Sequence, residues 1–359
     1  MKITRRNFVK ASSVTVAASV LPANALTVAI DKETTDQATG NNLEVIEGLT
    51  RNRPAETRQG DMLYRQLGST GAEVSIIGMG GYHMGNTSDA NAAVQLIRAA
   101  IDHGITFMDN CWDYNQGESE IRLGKALQDG YRNRVFLMTK IDGRTKSAAT
   151  QQIDESLRRL QTDHLDLLQH HEVIRLDDPD RIFGTDGAQE AILAAQKAGK
   201  TRFIGFTGHK DPFVHLRMLD TAQQRGFHFD AVQMPINVMD AHFRSFTTQV
   251  LPRLLEAKIG PLAMKTFGDD FILQSNTVQP IDALHYSFTL PVSVVITGME
   301  DQSDLKQALE AVRSFKPLDQ AELAKIFDLT KLAATKGDYE KYKTSTHFDG
   351  TIHHPEYLG

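Results

Sequence analysis

Residues 135–169 read VFLMTKIDGRTKSAATQQIDESLRRLQTDHLDLLQ, and this stretch contains the unit that decides the fold. Residues 135–139 form a short apolar run typical of a buried strand, and residues 165–169 form a second one. Ser147 can cap a helix between them. That helix has apolar side chains on a single face, at Ile153, Leu157 and Leu160. A strand, a helix and a second strand in this order favour parallel pairing with a right-handed crossover.

The same alternation continues on both sides of this unit. Residues 62–66 and 73–77 flank Gly68-Ser69-Thr70-Gly71, which predicts a β-hairpin, and residues 74–79 then predict the first buried strand. Further strands are predicted at residues 106–108, 203–206, 231–234, 261–264 and 293–296. Further helices are predicted from Ser88 to Gly104, over 187–198, from Asp211-Pro212 onward, and over 246–257, 280–288 and 303–312. Eight such units over about 250 residues suit an α/β fold of the closed (β/α)8 TIM-barrel type better than an open sheet.

Composition excludes several other classes of protein. The chain has 359 residues, of which 41% are hydrophobic and 23% charged, so whole-chain disorder is excluded. A single cysteine, Cys111, excludes a disulfide framework and a multi-cysteine zinc site. The net charge of -6 argues against a nucleic-acid partner. The turn Gly78-Met79-Gly80-Gly81 is not G-x-G-x-x-G, so a Rossmann site is not indicated.

The first 25 residues differ from the rest of the chain. Arg5-Arg6 precedes an apolar run over residues 11–21 and then Ala23-Asn24-Ala25, a cleavage-site pattern. This order resembles a twin-arginine signal peptide, which implies the twin-arginine export machinery as a partner and a bacterial periplasmic or exported location. A basic amphipathic or disordered N-terminus is the alternative. Because no other segment reaches 18 apolar residues, we expect no membrane span in the mature protein.

The predicted domain organisation follows from these patterns. After the signal peptide, the polar and aperiodic residues 26–60 predict a linker. Residues 61–315 then form the barrel, with an N-terminal hairpin. Residues 316–359 form a C-terminal helix and tail, in which residues 323–332 show helical spacing.

Polar residues cluster where the predicted strands end, which is the end of a (β/α)8 barrel that carries chemistry. The second to fourth strands lead into Asp109-Asn110-Cys111-Trp112-Asp113-Tyr114, Lys140 and His170-His171-Glu172. The remaining strands lead into Thr207-Gly208-His209, Gln233 to Asn237, Lys265 to Gly268 and Thr297-Gly298-Met299.

Residues 62–312 resemble the aldo-keto reductase family. The most specific match is Gly104-Ile105-Thr106-Phe107-Met108-Asp109 with Tyr114 five residues on, followed by Gly117-Glu118-Ser119-Glu120 and Leu123-Gly124. Lys140 and the stretch Asp166-Leu167-Leu168-Gln169-His170-His171 match the family's lysine and histidine strands. The resemblance is greatest to the exported twin-arginine branch. It implies a catalytic tetrad of Asp109, Tyr114, Lys140 and His171, acting with a nicotinamide dinucleotide.

The chemistry of carbonyl reduction needs these four residue types. Negative charge develops on the carbonyl oxygen, so a general acid, Tyr114, must deliver a proton there. A tyrosine hydroxyl has a pKa of about 10, and we expect the Lys140 ammonium to lower the pKa of Tyr114 by favouring the phenolate. Asp109 then orients Lys140, and His171 orients the carbonyl and donates to its oxygen.

The resemblance also implies positions that hold the cofactor. They are Thr207, Gly208, Gln233, Met264, Lys265, Phe267, Gly268, Thr297, Gly298 and Asp304. Many NADP-preferring members carry basic residues after the last strand, but this chain has Asp304 there, which repels a phosphate, with Lys306 as a substitute nearby. The family resemblance therefore favours NADP(H), whereas the negative charge of Asp304 favours NAD(H). Both nucleotides stay open as the cofactor.

The resemblance implies a small carbonyl or alcohol substrate, and Trp112 and Glu172 are its candidate pocket residues, with simple packing as the alternative for Trp112. No metal site is predicted, because His170 and His171 point to opposite faces of a regular strand. Two other functions remain open. One is a dinucleotide-binding sensor or interaction subunit with little turnover, suggested by Gly208, Met264 and Asp304. The other is a metal-dependent barrel enzyme built on His171 and Glu172.

Overall fold

The structure is a computed structural model that describes residues 42–359. The predicted twin-arginine segment and the first part of the predicted linker lie outside the described residues. In the rest of that linker the structure has a helix, α1, over residues 42–50, and a strand, β1, at Glu56–Gln59. Ile46 and Leu49 of α1 are buried. The four apolar residues of this helix, Leu43, Val45, Ile46 and Leu49, span barely two turns, which is too short a pattern to distinguish the helix from a linker.

The predicted hairpin is confirmed and gains a third strand. Strands β1, β2 (Met62–Gln66) and β3 (Glu73–Ser75) form an antiparallel sheet. In the turn, Gly68 has a φ of 51°, and a Cβ there would lie 2.5 Å from the backbone nitrogen of Gly260, so only glycine fits. Leu67 and Val74 pack with the barrel interior, so the hairpin closes one end of the barrel.

The eight predicted parallel strands form a closed barrel. They are β4 (Ile77–Met79), β5 (Phe107–Met108), β6 (Phe136–Ile141), β7 (Leu165–His170), β8 (Thr201–Thr207), β9 (Ala231–Pro235), β10 (Gly260–Met264) and β11 (Val294–Thr297). Each strand pairs with the next along the chain, and β11 returns to β4 with Val295 opposite Ile77. This is the (β/α)8 architecture expected from the alternation.

Helices surround the barrel, and shorter ones lie in its loops and tail. Up to β9 they are α2 (Gly81–Asn86), α3 (Ala90–Asp102), α4 (Glu118–Ala126), α5 (Lys146–Leu160), α6 (Asp178–Ile182), α7 (Ala188–Lys197) and α8 (Pro212–Gln224). After β9 come α9 (Phe246–Gln249), α10 (Leu251–Glu256), α11 (Phe271–Gln274), α12 (Pro280–Thr289), α13 (Gln302–Ser314), α14 (Gln320–Ala334), α15 (Lys341–Thr344) and α16 (Gly350–His353). Within residues 42–359, no helix combines the length and apolar character needed to cross a bilayer.

Three helix predictions differ in detail from the structure. Asp89, rather than Ser88, caps α3, and Thr145, rather than Ser147, caps α5, because their side chains accept the backbone N–H groups of the first turn. The helix predicted over 246–257 is two helices, α9 and α10. Pro252 enters the first turn of α10, where its missing N–H interrupts the hydrogen-bond ladder.

Alternation along each strand separates two apolar layers. One cluster fills the barrel interior: Phe107, Phe136, Met138, Leu167, Ala231, Leu262, Val294 and Ile296, with Leu67 and Val74 from the hairpin. The intervening residues, such as Met108, Leu137 and Leu168, pack outward against the helices. Because side chains alternate with a period of two, Asp109, Lys140 and His171 continue the inward-facing rows of Phe107, Met138 and Leu167.

Candidate active site

Lys140 connects the polar groups at the C-terminal mouth of the barrel. Its Nζ donates to Asp109 Oδ1 at 2.5 Å, to the backbone oxygen of Asn110 at 2.7 Å and to the Tyr114 hydroxyl at 3.2 Å. Lys140 and Asp109 are both buried. The three N–H groups of the ammonium are therefore all used, and one of them is aimed at the phenol oxygen.

His171 completes this group from the end of β7. Its ring centroid lies 5.8 Å from that of Tyr114, edge to face. Its Nδ1 lies 2.8 Å from Asp142 Oδ1. His171 and Tyr114 line the same cavity, and Nε2 lies on the ring edge opposite Nδ1. The structure thus brings together the four residues predicted as the tetrad.

The environment of Tyr114 differs from the sequence-based expectation. Burial, together with the carboxylates of Asp109 and Asp113, raises the pKa of the Tyr114 hydroxyl well above its usual range. Desolvation and the neighbouring acids therefore outweigh the lowering expected from the Lys140 ammonium. Tyr114 therefore keeps its proton at neutral pH, as a general acid requires before transfer.

A cavity of about 960 Å³ opens over this group. All but one of the predicted cofactor positions line it: Thr207, Gln233, Met264, Lys265, Phe267, Gly268, Thr297, Gly298 and Asp304. Gln233 donates to Asp109 Oδ2 at 3.2 Å, which ties this wall to the tetrad. Thr266, which is not among the predicted positions, also lines the cavity and has a buried hydroxyl with no hydrogen-bond partner in residues 42–359.

Two predicted site residues lie elsewhere. A Cβ on Gly208 would lie 2.3 Å from the backbone oxygen of Val173, so Gly208 is required by packing and does not line the cavity. Trp112 also does not line it. Its indole N–H donates to Glu155 at 2.8 Å, and its ring packs edge to face on Tyr357. These contacts favour the packing alternative for Trp112, because its position in the loop does not by itself set the direction of its side chain.

The far end of the cavity is acidic. Glu300, Asp301 and Asp304 line it beside the start of α13, whereas Lys306 does not line it. Glu300 pairs with His83 at 2.9 Å. A Cβ on Gly298 would lie 2.1 Å from the His83 ring, so His83 occupies the space that glycine leaves.

The C-terminal tail forms one wall of the cavity. Glu172, predicted in the substrate pocket, lines it, but its carboxylate accepts the backbone N–H of Gly350 at 2.7 Å and of Thr351 at 2.8 Å. Other tail residues that line the cavity are His347, Phe348, His353 and His354. No sequence signal identified these residues, because their contact with the barrel joins positions about half the chain apart.

Two further carboxylates lie beside His171. Asp113 immediately precedes Tyr114, and Asp142 follows Lys140 by two residues, so it continues the same inward row. Burial and like charges raise the pKa of both carboxyl groups to about 7. Cys111, Asp113, Asp142 and His171 each offer a potential ligand atom within 4.8 Å of the others. The metal alternative drawn from sequence involved Glu172 instead, whose carboxylate is bound by the tail.

Comparison with known proteins identifies related sequences. A model of the aldo/keto reductase family matches residues 76–282. The aldo-keto reductase YhdN of Bacillus subtilis (strain 168) is 31% identical over 216 residues, which cover 56% of this chain and 61% of the relative. The L-galactose dehydrogenase of Arabidopsis thaliana is 38% identical over 159 residues, 40% of this chain and 48% of the relative. The matches thus span about half to two thirds of these relatives.

Solved structures match more of the chain. The aldo-keto reductase AKR11C1 of Bacillus halodurans, in its holo form, superposes with a TM-score of 0.61 at 23% identity and covers 74% of this chain and 95% of that one. An aldo/keto reductase of Klebsiella pneumoniae in complex with NADP and acetate superposes with a TM-score of 0.58 at 25% identity. This match covers 73% of this chain and 93% of the Klebsiella pneumoniae chain. Because the family model matches more than half of the residues of this chain, the chain belongs to the aldo/keto reductase family.

Proposed function

We propose that this protein is an NAD(P)H-dependent oxidoreductase that reduces an aldehyde or ketone, with Tyr114 as the general acid. The observation that carries the proposal is the Lys140 ammonium, which donates to both Asp109 and the Tyr114 hydroxyl beneath the cavity. When Tyr114 gives up its proton, the ammonium 3.2 Å away stabilises the phenolate that forms. Asp109 keeps the ammonium in place, and His171 faces the same cavity to hold the carbonyl oxygen.

The cavity fits a nicotinamide dinucleotide, which supplies hydride when bound. Its volume of about 960 Å³ is at the upper end for ligand sites, as an extended cofactor requires. Gln233 and Thr207 would hold the nicotinamide end near the tetrad. Lys265 and the unpartnered Thr266 hydroxyl would bind the phosphates. Two observations point to different nucleotides. The related Klebsiella pneumoniae reductase was solved with NADP, which favours NADP(H). The acidic far end of the cavity would repel an additional phosphate, which favours NAD(H).

Replacing Tyr114 by phenylalanine tests the proposal directly. We expect kcat for reduction of a small aldehyde to fall by about two orders of magnitude or more, because the proton donor is lost while the ring remains. Cofactor affinity, measured by fluorescence titration, should stay unchanged. The matched control is Tyr131→Phe, whose hydroxyl donates to Asp102 on the protein surface, away from the cavity.

Two outcomes would contradict the proposal. Near wild-type turnover in Tyr114→Phe would show that another group delivers the proton. Tight nucleotide binding without turnover of any aldehyde or ketone would favour a sensor or interaction subunit. A metal-dependent barrel enzyme would instead lose its activity in a chelator, whereas we expect full activity there.

We also propose that the chain is exported to the bacterial periplasm by the twin-arginine machinery. The support is the sequence Arg5-Arg6 with its apolar run and the Ala23-Asn24-Ala25 pattern. A doubly substituted chain, Arg5→Lys with Arg6→Lys, should stay in the cytoplasm at full length, whereas the unaltered chain should be shortened and periplasmic. Immunoblots of cell fractions measure this. Equal distribution of both chains would contradict it.

A further inference from the structure

The inner edge of the His171 ring is surrounded by groups that can share its proton. Nδ1 lies 2.8 Å from Asp142 Oδ1, 3.2 Å from Cys111 Sγ and 3.7 Å from Asp113 Oδ1. Only the contact with Asp142 has the length of a hydrogen bond to a carboxyl oxygen. The Cys111 thiol is also within hydrogen-bond distance, but a thiol is a weak donor and a weak acceptor, so Asp142 is the stronger partner of the imidazole.

The Asp142 carboxyl group has no cation of its own. The nearby Lys140 directs its three N–H groups to Asp109, Asn110 and Tyr114. Arg144 donates to the carboxylate of Asp178 and to backbone oxygens, including that of Asp142 itself. The second carboxyl oxygen of Asp142 is buried and has no partner in residues 42–359. An ionised carboxylate in this position is costly, which favours the protonated form.

Neighbouring charges act in both directions on the pair. The titratable and charged groups that face Asp142 and His171 are Cys111, Asp113, Tyr114, Lys140, Arg144, Glu172, Arg175 and Tyr357. Burial is the largest influence and raises the pKa of Asp142 to about 7, while it lowers the pKa of His171. Both shifts favour uncharged groups, so a protonated Asp142 beside a neutral imidazole is favoured over a buried ion pair.

The protonation of Asp142 fixes the tautomer of the ring. A neutral imidazole carries one N–H. When Asp142 is protonated, its O–H donates to Nδ1, and the ring proton stays on Nε2, facing the cavity. When Asp142 is ionised, it accepts a hydrogen bond from Nδ1–H, and Nε2 is left with only a lone pair. A carbonyl oxygen accepts but cannot donate, so only the first state can hold it.

We propose that Asp142 is a positioning residue that decides which nitrogen of His171 carries the ring proton, and so permits carbonyl reduction only while Asp142 is protonated. This inference rests on the proposed function, because it concerns the hydrogen bond to the same substrate oxygen. A divalent ion held by Cys111, Asp113, Asp142 and His171 would also neutralise this cluster. The direct 2.8 Å contact favours a proton, and the metal becomes an outcome of the test.

The tautomer is tested by nitrogen-15 NMR of the full chain with labelled histidine, in which His171→Gln identifies the His171 signals. Between about pH 5 and about pH 9, we expect the ring proton of the unaltered chain to move from Nε2 to Nδ1. In Asp142→Asn we expect one tautomer at every pH, since the amide does not titrate. An identical switch in both chains, no switch in either, or His171 signals shifted by a stoichiometric divalent metal that copurifies would overturn the proposal.

Kinetics test the consequence for the reaction. For the unaltered chain, kcat of aldehyde reduction should fall about tenfold as the pH rises past neutrality, whereas Asp142→Asn should change less than about twofold. Asp113→Asn is the comparison, because it removes a carboxylate of the same cluster that makes no hydrogen bond to Nδ1, and its pH dependence should persist. Parallel profiles for the unaltered chain and Asp142→Asn would overturn the proposal. Retained turnover in Tyr114→Phe would instead overturn the proposed function and leave the NMR result standing.

Discussion

At the scale of the residue, the buried ion pair of Lys140 and Asp109 has both a structural and a chemical task. Their side chains are 1% and 6% exposed, so each charge depends on the other for its solvation. The alternation of side chains along β5 and β6 directs both residues into the barrel mouth, where their side chains have little contact with water. The same burial raises the pKa of the Tyr114 phenol and keeps it protonated, as its proposed role of general acid requires.

Replacing Lys140 by methionine should therefore cost stability as well as turnover. We expect a loss of about 3–5 kcal/mol in the free energy of unfolding, because Asp109 is left buried without a counter-charge. Urea denaturation measures this loss. The control is Lys200→Met, whose 2.6 Å pair with Asp154 is exposed and should contribute no more than about 1 kcal/mol.

A second substitution separates the two tasks of Lys140. The double variant Asp109→Asn with Lys140→Met should be more stable than Lys140→Met alone, because no unpaired charge remains buried. Its turnover should stay as low as that of Lys140→Met. Equal stability of the Lys140→Met and Lys200→Met variants would show that the buried pair is not the structural element described above.

At the scale of the element, α13 presents its N-terminus to the far end of the cavity with acidic side chains. Asp301 caps the helix by accepting the N–H groups of Ser303 and Asp304. Asp304, in its first turn, accepts the N–H of Glu300 at 2.8 Å. A helix N-terminus attracts anions, but these carboxylates already occupy it, so an additional phosphate meets negative charge there.

The substitution Asp304→Asn should shift nucleotide preference toward NADP(H). We expect the affinity for NADPH to rise about fivefold relative to NADH, because one negative charge is removed near the extra phosphate. Fluorescence titration with both nucleotides measures this ratio. Asp282→Asn is the control, since Asp282 has the equivalent position in the first turn of α12 but does not line the cavity. The same change of ratio in both variants would contradict the argument.

At the scale of the whole molecule, buried histidines and buried carboxyl groups give stability opposite dependences on pH. Burial lowers the pKa of His170 to about 4, of His215 to about 3 and of His242 to about 4. The unfolded chain binds protons at these histidines below about pH 6.5 while the folded chain does not, so they reduce stability as the pH falls. Asp113 and Asp142, with pKa values raised to about 7, act in the opposite direction and reduce stability as the pH rises through neutrality.

Replacing His215 by phenylalanine isolates one of these contributions. The ring lies between Phe206 and Phe246, so phenylalanine keeps these ring contacts and loses only the 3.4 Å contact of Nε2 with the backbone oxygen of Gln233. Between pH 8 and about pH 5, the unaltered chain should lose about 2 kcal/mol more of its unfolding free energy than this variant. Urea denaturation at both pH values measures the difference. The exposed His103→Gln should behave as the unaltered chain, and an equal loss in all three proteins would contradict the prediction.

Sequence by itself determined the strands, the barrel and which strand-end side chains point into its mouth, whereas the tetrad is a prediction implied by the family resemblance. Runs such as 135–139 and 165–169 are local, and the period of two that buries Phe107 also directs Asp109 inward, so spacing along the chain is sufficient. Only the tertiary structure decided what surrounds these residues: Asp142 against His171, the tail on Glu172, and Trp112 and Gly208 outside the cavity. Those contacts depend on segments far apart in sequence and on the packing of loops, and so does the desolvation that raises the pKa of Tyr114. Loops have no periodic pattern from which such contacts could be predicted.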